Sequence, residues 1–64
     1  MKIKLWATKR SVNGLISISD NKNRCEVKQE RRGDYVVSFF SDKERFGYFM
    51  DVVCNTDINY KVLA

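Results

Sequence analysis

The sequence predicts an α+β fold: a small twisted, mainly antiparallel sheet in the order β-β-β-β-α-β, with one helix packed on one face. Short runs of alternating apolar and polar residues recur as far as Phe40, which is the period of half-buried strands. A later segment carries an apolar stripe at helical spacing. A chain of 64 residues has room for little more than one layer of sheet and one helix. Residues 1–64 are therefore read as one small domain. With 44% hydrophobic and 31% charged residues, the chain has enough apolar content to fold and too much to stay disordered. At this size burial and chain entropy nearly cancel, so a homodimer is a natural way to gain stability.

Lys2 to Thr8 places Ile3, Leu5 and Ala7 on one face and Lys2, Lys4, Trp6 and Thr8 on the other, which reads as the first strand. Leu15 to Ser19 alternates again with Ile16 and Ile18 on one side, and the cluster Asp20, Asn21, Lys22, Asn23 after it suits a turn. That reads as the second strand and its hairpin, with Gly14 taken as punctuation. Arg24 to Gln29 sets Cys25 and Val27 against Arg24, Glu26 and Lys28, and Tyr35 to Phe40 is apolar on both faces. These are the third and fourth strands, joined near Arg32, Gly33 and Asp34, and a strand apolar on both sides belongs in the middle of a sheet.

Ser41 followed by Glu44 spells a capping box that starts a helix. Phe46, Phe49, Met50, Val53 and Cys54 form its apolar stripe, Asn55 is a plausible stop, and Gly47 is read as allowing close approach to the sheet. Tyr60 to Leu63 has the composition of a last strand. The predicted core joins Phe46, Phe49, Met50 and Val53 of the helix to Leu5, Ile16, Ile18, Val27 and Phe39 of the sheet.

The absence of histidine removes the commonest general base, and every carboxylate falls in a turn, on an outer strand face or at a helix start. No catalytic residues are therefore expected. Cys25 and Cys54 without histidine cannot complete a four-ligand zinc site, so neither a metal nor another cofactor is expected. The two thiols are expected to be buried, free and structural. The N-terminal run turns polar by Thr8 and no long apolar stretch follows, so the expected location is cytoplasmic, without a leader or membrane segment.

Charge is the informative feature. Met1 to Gly33 carries nine basic and three acidic residues, a net of +6, while Asp34 to Ala64 carries three basic and five acidic ones, a net of −2, within a total of +4. On the non-core face of the first and third strands, Lys2, Lys4, Arg24 and Lys28 share a surface with Trp6, and Arg31 and Arg32 follow at the next turn. Leu15, Val36 and Phe40 join this face if the registers hold. Bases stack on aromatic rings while Lys and Arg meet phosphates, so Lys2, Lys4, Trp6, Arg24, Lys28, Arg31 and Arg32 are the candidate nucleic-acid-binding residues. The signatures of cold-shock, RNP-type and zinc-finger modules are missing. The alternative is a protein-binding inhibitor or adaptor that docks through the same face or a sheet edge, with a homodimer as one form of it.

Overall fold

The structure, a computed structural model, describes residues 1–40 and 43–63. Six elements follow along the chain: β1 (Lys2–Trp6), α1 (Lys9–Ile18), β2 (Cys25–Arg31), β3 (Asp34–Phe39), α2 (Lys43–Cys54) and β4 (Asn59–Val62). The strands form one sheet in the order β2-β3-β1-β4, and every neighbouring pair is antiparallel. This is an α+β fold of the split β-α-β type. β3, apolar on both sides, is central as its composition predicts.

The segment expected as the second strand is instead the helix α1, so the molecule has two helices and the order is β-α-β-β-α-β. Thr8, in extended backbone, caps the helix: its Oγ1 accepts the Ser11 backbone N–H at 3.1 Å. Val12, Leu15 and Ile16, spaced three and four apart, turn inward and are buried. The far end closes with Asp20 at φ 58. Its N–H donates to Ser17 O, and the Asn21 N–H donates to Ile16 O at 2.9 Å, the paired bonds of a left-handed C-terminal cap. Leu15 and Ile16 are adjacent and both buried, which a half-buried strand does not allow. Hence Leu15 belongs to the core rather than to the open face of the sheet. Ile18, expected in the core, is 75% exposed, because on the helix it falls outside the stripe of Val12, Leu15 and Ile16, at the edge beyond Leu15 and nearly opposite Ile16.

One cluster joins Ile3 and Leu5 of β1, Val12, Leu15 and Ile16 of α1, Tyr35, Val37 and Phe39 of β3, and Phe49 and Val53 of α2. The Phe39 ring meets Phe46 edge-on at 5.4 Å and Phe49 at 5.2 Å between centroids, so the central strand holds α2 through aromatic contacts. Val27 is exposed, since β2 lies at the edge, where the helices leave it uncovered. Ser41 of the expected capping box lies outside the described residues. Glu44 is in the first turn of α2 and accepts the Tyr48 hydroxyl at 2.7 Å. α2 ends before Asn55 as expected, but Cys54 faces outward. A Cβ added at Gly47 would meet nothing within 4 Å, so this glycine permits no close approach to the sheet. Gly33, at φ 84, turns the chain between β2 and β3 in a conformation only glycine adopts freely.

Asn21, fully buried, ties the α1–β2 connection to α2. Its Nδ2 donates to Ser19 Oγ at 2.8 Å and to the Arg45 carbonyl at 3.2 Å. Arg45 returns the contact through Nη1, which donates to the Asp20 carbonyl at 3.1 Å and lies 3.3 Å from the Asp20 carboxylate.

Candidate nucleic-acid interface

With both helices on one side, β1 and β3 expose alternate residues on the other. The antiparallel registers order these residues into three rungs across the sheet. One runs Arg31, Asp34, Trp6, Asn59; the next runs Lys28, Val36, Lys4, Lys61; the third runs Glu26, Ser38, Lys2. Lys2, Lys4, Trp6 and Lys28 therefore share one face, as the alternation in the sequence predicts. Arg31 stands opposite Asp34 beyond a register shift between Gln29 and Arg31. Arg24 precedes β2 and is exposed. Arg32 lies in the β2–β3 turn and lines a shallow groove with Trp6, Lys9 and Gln29 at the end of the sheet. The structure thus gathers Lys2, Lys4, Trp6, Lys28 and Arg31 on the open face and leaves Arg24 and Arg32 at its margins.

Three features of this face were not drawn from the sequence. Lys61 completes the central rung from β4, which alternation in β1 and β2 alone cannot reveal. Asp34 sits beside Trp6, with its carboxylate 3.7 Å from the Lys4 ammonium. The same ammonium lies 5.2 Å from the Trp6 ring centroid, within cation–π range. Glu26, Glu30, Lys2 and Lys28 line a second groove whose floor includes Val36 and Ser38. The face is consequently a lysine-rich surface of mixed charge. Val36 is buried although it points away from the helices, consistent with long Lys stems covering it from Lys4 and Lys28.

Trp6 is 42% exposed and Phe40 68% exposed. Trp6 stands opposite Asp34 at the start of β3, and Phe40 directly follows the other end of that strand, about 20 Å along at the rise of an extended strand. The lysine rungs lie between them.

Both cysteines are free, Cys25 half-buried and Cys54 exposed, so the expectation of two buried thiols holds for neither in full. Burial pushes the Cys25 thiol above its ordinary pKa. The Cys54 Sγ lies 3.6 Å from the Tyr60 hydroxyl, and this hydrogen bond raises the tyrosine pKa. Among the described residues no cluster of three His, Cys, Asp or Glu side chains could hold a metal ion. No helix among them is long and apolar enough to cross a membrane.

Fold and site together define a small α+β domain with an uncovered, aromatic-flanked lysine face. No protein-family model, curated protein or solved structure matches the chain.

Proposed function

We propose that the chain is a non-catalytic accessory or regulatory module that binds single-stranded nucleic acid on the open face of its sheet. The observation that carries this reading is Trp6 on the same sheet face as Lys2, Lys4, Lys28 and Lys61, with a second exposed ring, Phe40, just beyond the other end of β3. An extended strand running between the rings would stack a base at each end and meet ammonium groups with its phosphates. Arg31 and Arg32 extend the cationic margin at the Trp6 end. A helix or duplex would need a convex or protruding element to enter a groove, whereas this face is a sheet surface. Two free thiols fit a reducing compartment such as the cytoplasm.

Trp6 is the sole tryptophan, so its fluorescence reports on stacking without a label. Titration with single-stranded DNA, single-stranded RNA and duplex at low and moderate salt tests the proposal. Quenching by a single-stranded ligand, with affinity falling steeply as salt rises, is the expected result. Trp6→Ala should cost about 1 to 3 kcal/mol of binding and leave the salt slope unchanged. No binding to any of the three at low salt would refute the reading and promote a protein partner on this face.

A further inference from the structure

The geometry points to a second copy of this chain as the partner of the free β2 edge: two molecules pair β2 antiparallel about a two-fold axis at Val27, forming one eight-stranded sheet. β2 is an outer strand and every residue of it but Cys25 is exposed. On the open-face side it presents Glu26, Lys28 and Glu30, and Arg24 immediately before it extends the stripe of alternating sign. Among the described residues none of these four has an ion-pair partner within the chain.

A two-fold axis at Val27 sets Glu26 opposite the partner's Lys28 and Arg24 opposite the partner's Glu30, each occurring twice by symmetry. On the helix side it sets Val27 against the partner's Val27, both otherwise uncovered, and Cys25 against the partner's Gln29. Faces are preserved only when the register shifts in steps of two residues. A shift of two in one direction sets Glu26 against the partner's Glu26 and Arg24 against the partner's Lys28. The opposite shift sets Lys28 against the partner's Lys28 and Glu26 against the partner's Glu30. Like charges directly opposite are destabilising, so the stripe selects one register out of the three.

The matched segment also ends where strand geometry ends. Asn23 turns away at φ 67 just before Arg24, and the register shift between Gln29 and Arg31 falls at Glu30, so the central Glu26–Lys28 pairs lie in regular strand and the outer Arg24–Glu30 pairs at its two ends. The other free edge lacks this code. β4 carries Lys61 as its only charge, so self-pairing there joins no opposite charges. Charged edge strands commonly prevent pairing; here the alternation is complementary to itself, which turns a repelling edge into a selective one. The interface is small and depends on charge, so it forms at high protein concentration and weakens with salt.

Sedimentation equilibrium on protein freed of nucleic acid, from micromolar to millimolar concentration, tests this. The wild-type chain should reach a dimer. Lys28→Glu alone and Glu26→Lys alone each place like charges at both symmetric positions, and each should weaken dimerisation by about tenfold or more. The combined Glu26→Lys/Lys28→Glu chain should recover affinity close to wild type. All these side chains are exposed, and thermal melting of each variant confirms that the fold persists. In a Cys25→Ser/Cys54→Ser background, Val27→Cys should form an intermolecular disulfide on mild oxidation, since residues facing each other across paired strands have the required Cα separation. A monomer at millimolar concentration overturns the proposal. So does a dimer indifferent to the single reversals, or one that the double swap does not restore.

Discussion

Asn21 shows how one polar side chain can hold two elements together. Its Nδ2 bridges Ser19 and the Arg45 carbonyl, while its Oδ1 is buried without a partner among the described residues. The amide is therefore present for its donor. Asn21→Ala should destabilise the fold by about 1 to 3 kcal/mol, the cost of leaving buried carbonyls unpaired. Asn21→Asp should be worse at neutral pH, because it turns a carboxylate toward those carbonyls. Burial raises the pKa of such a carboxyl in the folded state. The folded protein then binds the proton more tightly than the unfolded chain, so stability falls as pH rises and the gap between the two variants closes in acid. Urea melts of both variants across acidic and neutral pH check this, and a gap independent of pH would remove the donor role. Phe49, fully buried against Phe39, is the residue whose role the helical stripe predicted most directly. Phe49→Ala should cost about 3 to 5 kcal/mol, read as a lower denaturant midpoint. The thiols divide in the same way by burial. Cys54 should react with a disulfide reagent at the rate of an open thiol, and Cys25, shielded and with a raised pKa, should lag until the protein is unfolded.

At the scale of elements, α1 is the instructive case. Ile16 and Ile18 are β-branched, sit two apart and precede a run of turn residues, which imitates a strand leading into a hairpin. The helical signals were present: Thr8 with Ser11 three residues on, and Val12, Leu15 and Ile16 at helical spacing. Gly14 in the middle concealed them, because glycine is a poor helix former and a common turn residue. Tertiary burial of that face outweighs the local cost. Strand β1 was legible because alternation there coincides with burial on one side, β2 because apolar and charged residues alternate along it although nearly all are exposed, β3 because its β-branched and aromatic run is apolar throughout, and α2 because its stripe runs over two turns. Gly14 and Gly47 both sit inside helices, and a Cβ at either position would meet nothing within 4 Å. Gly14→Ala and Gly47→Ala should therefore each stabilise the protein by about 1 kcal/mol. Adding the two should roughly double the gain, since separate sites are additive. A loss of stability at either site in thermal melts would mean that its helix is not continuous.

At the scale of the whole molecule, folding redistributes the charge that the sequence displays. The chain is basic in its first half and slightly acidic in its second, which suggests one cationic region. The strand order β2-β3-β1-β4 interleaves the halves instead: β2 and β1 come from the first, β3 and β4 from the second. Asp34 thereby lands between Arg31 and Trp6, and Lys61 joins Lys4 from the far end of the chain. Membership of Lys2, Lys4, Trp6, Glu26 and Lys28 in one face was legible from strand phase, whereas the position of Asp34 beside Trp6 depends on which strands pair, a non-local property that residue spacing does not encode. The interleaving carries a consequence for binding. Lys4 is held 3.7 Å from Asp34, so part of its charge is already compensated before any phosphate arrives. Asp34→Asn keeps the shape, removes one ion pair worth about 1 kcal/mol or less to stability, and frees the Lys4 ammonium beside the Trp6 ring. If single-stranded nucleic acid crosses this face, the variant should bind more tightly than wild type at low salt. Its log–log salt dependence should steepen by about one unit, the signature of one further phosphate neutralised. Lys28→Gln should flatten the slope by a similar amount in either background. Fluorescence titrations of wild type, Asp34→Asn and Lys28→Gln over a range of salt measure all three slopes. An Asp34→Asn slope equal to that of wild type would show that Lys4 meets no phosphate, and would move the contact toward Lys28 and Arg31 at the β2 side of the sheet.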